Sequence, residues 1–191
     1  MKIRTILVSV IVANVIAITA FAHNGATGIV KERMDSMSTM GKAIKAITPM
    51  MRKEINYDAA LVRQNALNIK MHSGEVLTKL YPQGTGGMPS EAKDNIWQEW
   101  EEFTHLSKQL LTYSDALALA ADNGLSEVKE KTPDVNSMMG GSSSVMMGAS
   151  PLSETEASLE ELSKMPAEKV FAKVIKTCSA CHTKFRAEAK K

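Results

Sequence analysis

Cysteine occurs only twice in the 191 residues of this chain, and both copies fall in one pentapeptide, Cys178-Ser-Ala-Cys181-His182. On a helix these three side chains stand at i, i+3 and i+4, so a single face presents two thiols and an imidazole. C-x-x-C-H is the attachment signature of a c-type haem, whose vinyl groups take thioether bonds from the two sulfurs while the histidine reaches the iron. A fold that carries this signature must turn one helical face toward a cofactor-sized space. Other uses of the pair fit less well. A redox-active C-x-x-C normally sits near a βαβ pattern, and none is visible. Structural zinc needs four ligands, and His23, His72 and His105 show no spacing that supplies a second pair. Cysteines three apart on one helix are also poorly placed to bond each other.

The N-terminus supplies a compartment suited to haem attachment. Lys2 and Arg4 precede an apolar run, Ile6 to Ile18, that closes on the small-x-small triplet Ala20-Phe21-Ala22. Residues 1–22 therefore read as a secretory signal peptide and 23–191 as the mature domain. The run is shorter than the roughly 18–20 residues of a spanning helix, so no membrane span is expected in the mature protein. Lys2 and Arg4 account for the whole formal charge of +2, which leaves the mature chain neutral. Neutrality argues against nucleic acid as a partner, since that would need a concentrated basic face. Export joined to a haem motif points to a bacterial periplasm.

The mature region is helical in pattern, with apolar residues recurring at steps of three and four in four segments. The first runs from about Ala26 to Arg52, with Val30, Arg33, Met37, Met40, Ile44, Ile47 and Met51 on its seam, and Pro49 should bend or end it. The second spans Asp58 to Leu80 behind an Asp58 cap, with Val62, Ala66, Ile69, Val76 and Leu80 as its stripe. A turn-rich break at residues 82–87 precedes a third, Ser90 to about Ala121, whose face carries Ile96, Trp100, Phe103, Leu110 and Leu117. The last starts near Pro166 and aligns Phe171, Val174 or Ile175, Cys178, Cys181–His182 and Phe185. The expected fold is all-α: an antiparallel four-helix bundle with one covalent haem c between facing helices. Residues 122–165 stand apart as an insert with a Met-, Gly- and Ser-rich tract at 138–147 that reads as a loop. Within it, Glu154 to Met165 could form a short helix capped by Ser153 or Thr155, with Leu159 and Leu162 on one face. Thioethers suit Cu(I), but no His or Cys accompanies them there.

These features resemble the cytochrome c′ family, the class II c-type cytochromes. The haem segment with Phe185-Arg186 after it, Asn56-Tyr57-Asp58-Ala59-Ala60, Leu80-Tyr81-Pro82 with Gly84-Thr85, and Ile96-Trp97 are each similar to stretches of that family. The resemblance covers about 27–121 and 166–188; the 122–165 insert is far longer than the family's usual link. A C-x-x-C-H placed after three helices separates it from the class I fold, where the motif lies near the N-terminus.

The resemblance implies two ways to complete the iron. One branch of the family is five-coordinate; in the other a methionine of the first helix is the sixth ligand. Counting back from Tyr57 places Met37 at the ligand position, and Met37 lies on the inward seam, whereas Met34 is off it and Met40 reads as core filler. His105 and His72 are poorer candidates. Arg33 sits in the same apolar seam, where an unpaired guanidinium is costly, and a haem propionate would remove that cost. The family has an arginine at the matching position, and the resemblance places Arg186 near the proximal side of the haem. The expected function is a non-enzymatic single-electron carrier with His182 and Met37 on the iron, served by redox partner proteins of the periplasm. A five-coordinate protein that binds nitric oxide or carbon monoxide is the alternative. The resemblance also implies a homodimer through the first two helices.

Overall fold

The computed structural model describes residues 25–126 and 157–188, and the elements below belong to those residues. The expected signal peptide, the Met-rich tract and the caps Ser153 and Thr155 lie outside them. Helix α1 (Gly28–Met51) is followed by α2 (Ala59–Met71), α3 (Glu75–Thr78), α4 (Asn95–Gln98), α5 (Trp100–Ala120), a 3-10 turn (Ala121–Asn123), α6 (Leu159–Ser163) and α7 (Ala167–Phe185). The four long helices α1, α2, α5 and α7 make the expected four-helix bundle, and no strand occurs among the described residues.

Helix α1 runs through Pro49 in its last turn, where the proline withholds a single amide, the one that would bond Lys45 O, and the helix ends two residues later. Asp58 caps α2 as expected, its Oδ1 accepting from the Leu61 amide at 3.0 Å. However, α2 stops at Met71, not at Leu80. Gly74 has φ +64°, and a Cβ there would stand 3.0 Å from Cδ2 of Leu111. Its amide donates to Ser107 O at 3.1 Å, and Ser107 Oγ donates back to Gly74 O at 2.9 Å. The close approach of α5 thus breaks the helix at a left-handed glycine. Past the break the expected stripe loses its register, and Val76 faces outward at 53 % exposure.

The third segment breaks at Glu99, which separates α4 from α5. Trp97 turns inward to donate its Nε1–H to Tyr81 O at 2.9 Å, while Trp100 stays exposed. Ser158, not Ser153 or Thr155, caps α6, in a capping box with Glu161. Leu162 is buried there and Leu159 is not; on α7, Val174 is buried and Ile175 is exposed.

Helix α5 is the hub, packing on α2 along one flank and on α7 along another, with α6 also against it; α1 leans mainly on α2. Phe103 and Leu117 of α5 join Ile47, Val62, Ile69, Val170 and Val174 in the core. Helices α1 and α7 make little direct contact. Far from that gap, the Tyr57 hydroxyl donates to Ala121 O at 2.6 Å and ties the α1–α2 link to the end of α5.

Burial, reinforced by Asp122, pushes the Tyr57 phenol up to about 12. The unfolded chain therefore loses this proton first, and stability should fall as pH rises from about 10 to about 12. Tyr57→Phe should cost about 1 kcal/mol at neutral pH and flatten that alkaline decline, as read by thermal melts across the range.

Candidate haem-binding site

Between α1 and α7 lies a cleft of about 500 Å³. That is within the roughly 300–1,000 Å³ typical of cofactor clefts. Helix α7 lines it with Cys181, His182 and Phe185, followed by Arg186; α1 contributes Arg33, Met34, Met37, Ser38 and Gly41. The loop between α3 and α4 adds Tyr81, Ser90, Glu91 and Ala92, and Ile96 and Phe103 complete the lining. Phe103 anchors the aromatic part. Its ring lies 4.8 Å from that of Tyr81 and 5.5 Å from that of Phe185, both edge-on, the arrangement aromatic quadrupoles favour.

The residues singled out by sequence converge here. Cys181, His182, Met37, Arg33 and Arg186 all line the cleft, and Cys178 stands one turn back on α7, half-buried against the core. Met40 is core filler, as expected. Met34 was set off the seam but reaches the cleft. His105 is exposed, and His72 is tied to Ser36 Oγ at 3.0 Å. Missed by the sequence reading were Ser38, Gly41 and the loop residues from Tyr81 to Ala92. Leu80-Tyr81-Pro82, an aromatic set between a helical stripe and a turn, is the signal that could have found the loop.

The imidazole has the protonation that ligation of an iron would need. Burial lowers the His182 pKa, Arg186 lowers it further, and Glu91 opposes both, so near neutrality the imidazole keeps a free lone pair. Burial raises both thiols, Cys181 to about 11 with Cys178 adding to it. Such thiols are poor thiolate ligands or redox nucleophiles at neutral pH. Among the described residues no cluster of His, Cys, Asp and Glu forms a separate metal site. Cys181 and His182 on the cleft, with Cys178 one turn back on the same helix, thus fit haem c.

Arg33 is 3 % exposed, yet its partners all come from the chain. Nε and Nη2 donate to Leu80 O at 3.0 and 2.8 Å. Nη1 donates to Thr85 O at 3.1 Å and Ser90 Oγ at 2.8 Å, and Nη2 to Thr85 Oγ1 at 2.7 Å. The guanidinium carbon stands 4.0 Å from the centre of the Tyr81 ring. Neutral acceptors of the loop and the Tyr81 ring thus offset much of the cost of burying the guanidinium. Arg186 donates from Nε to Glu91 Oε2 at 2.5 Å, and Ala187 N donates to Glu91 O at 2.7 Å.

The cytochrome c′ family model matches residues 28–138, a span that ends before the cysteines. Cytochrome c′ from Thermochromatium tepidum is similar at 22 % identity and a TM-score of 0.56, over 84 % of this chain and 95 % of that one. So is cytochrome c prime from Alcaligenes xylosoxidans, solved as a nitric oxide complex of one mutant and a carbon monoxide-bound form of another. Both match at 21 % identity and a TM-score of 0.56, over 84 % of this chain and 94 % of that one. A further cytochrome c′, described by an unusual ligand-controlled dimer dissociation, matches at 19 % identity and 0.56, over 84 % of this chain and 95 % of that one. No curated protein matches.

These likenesses overturn the expected electron carrier with Met37 as sixth ligand. A thioether on iron closes both axial positions, whereas the A. xylosoxidans protein holds nitric oxide or carbon monoxide, which take an open one. Helical register located Met37 on the cleft, but a methionine on a cleft wall also serves as adaptable apolar surface.

Phe185 is the buried cleft residue next to the haem motif. Phe185→Ala should cost about 3–5 kcal/mol, read by denaturant unfolding, and Phe185→Leu clearly less.

Proposed function

Because the chain belongs to the cytochrome c′ family, we propose that it is a c-type haem protein that binds nitric oxide and carbon monoxide at an open iron position facing α1. The observation that carries this reading is the cleft itself, with His182 on the α7 wall and Met34, Met37, Ser38 and Gly41 on the α1 wall. When bound, haem c supplies an iron that takes a diatomic gas. Cys178 and Cys181 would hold the group through thioether bonds, and the neutral imidazole of His182 would offer its nitrogen to the iron. Ile96, Phe103 and Phe185 keep water from one side of the cleft. Met34 and Met37 would give the α1 wall a polarisable apolar surface without a strong hydrogen-bond donor.

Family members are typically periplasmic, and no helix among the described residues is long and apolar enough to cross a membrane. Residues 1–22 as an export signal agree with that location. A homodimer through α1 and α2 is consistent with the exposed Leu67 and Met71 of α2.

The test is a titration of the reduced holoprotein with carbon monoxide and with nitric oxide, followed in the Soret band. One saturable adduct per haem is expected with each gas, and the absence of any adduct would overturn the reading. Separately, the haem should stay with the polypeptide in acidified acetone. Its extraction from wild type would contradict the thioether bonds, and Cys178→Ala with Cys181→Ala should make any retained haem extractable.

A further inference from the structure

Arg33 is a buried charge on the cleft for which gas binding requires no direct role. We propose that it is a positioning residue, a clamp from α1 that fixes loop 80–92 as a wall of the haem cleft.

Among the described residues its side chain meets no carboxylate. Every N–H of the guanidinium is instead directed at Leu80 O, Thr85 O, Thr85 Oγ1 or Ser90 Oγ, and its face lies over the Tyr81 ring. These acceptors lie 47 to 57 residues along the chain from Arg33, all in the stretch that carries Tyr81, Ser90, Glu91 and Ala92 to the cleft. The acceptors are themselves organised. Thr85 Oγ1 donates onward to Pro82 O at 2.7 Å, and Ser90 Oγ also accepts the Ala92 amide at 3.1 Å.

The far end of the loop is fastened to α7. Lys93 N donates to Phe185 O at 2.9 Å, and Glu91 takes both Ala187 N and Arg186 Nε. The loop therefore spans the gap between α1 and α7, and Arg33 holds its α1 side. Residues 82–84 and 87–88 are exposed and carry no regular structure; on the α4 side Trp97 donates to Tyr81 O, and on the α1 side Arg33 makes the bonds that set the wall. A planar fork that reaches four acceptors is something a lysine, with one ammonium, cannot reproduce.

The test uses holoprotein and two variants that keep the positive charge: Arg33→Lys, and Thr85→Val combined with Ser90→Ala. Amide exchange read by mass spectrometry should rise about tenfold or more in peptides of 81–92 relative to peptides of α5. Carbon monoxide association after flash photolysis should change by about threefold or more, because the wall it passes has loosened. Haem content should stay at wild-type level. Arg33→Lys with wild-type exchange in 81–92 would overturn the clamp, since charge alone would then suffice. So would acceleration spread equally over α5, which marks general destabilisation, or local loosening with an unchanged association rate. The association readout rests on the gas-binding reading. If the reduced protein takes no carbon monoxide, that reading fails alone and the exchange ratio still decides the clamp.

Discussion

The structure turns on a seam that the helices do not close. In a four-helix bundle each long helix ordinarily buries its apolar stripe against two neighbours. Here α5 is well packed on α2 and α7, but α1 leans on α2 and leaves α7 across a cleft. The seam would be filled by burying a cofactor in place of side chains. Much of the unusual local structure serves that opening: the loop that bridges it, the aromatic cluster of Tyr81, Phe103 and Phe185 beside it, and a buried arginine on its edge.

The electrostatics of the cleft follow from the same opening. Partial burial of both cysteines, and of His182 beside Arg186, favours their neutral forms. Arg33 escapes the usual penalty of a buried cation because five hydrogen bonds and an aromatic face replace water. Burial still draws its pKa downward, and Tyr81 opposes that shift.

Much of this was legible in the chain before its fold. The i, i+3, i+4 face of Cys178, Cys181 and His182 required a helix against a cofactor space, and α7 lies along one. Seam periodicity placed Arg33 and Met37 on that space. What sequence could not reveal were events decided by distant neighbours. Gly74 ends α2 because α5 comes close at Ser107 and Leu111, a contact no local pattern encodes. The loop acceptors of Arg33 lie 47 to 57 residues along the chain and fold back over it, a contact that no local pattern around Arg33 encodes. Met37 shows the limit most clearly: register fixes where a side chain points, while iron ligation depends on distances set by the whole bundle.

The ferric spin state tests the central claim most directly. Electron paramagnetic resonance of the oxidised holoprotein at neutral pH reads whether a sixth protein ligand is present. An iron left open toward α1 predicts a high-spin signal in wild type, unchanged in kind by Met37→Ala. A low-spin wild type that becomes high-spin only in Met37→Ala would contradict the account, because it would place the thioether on the iron and close the gas site.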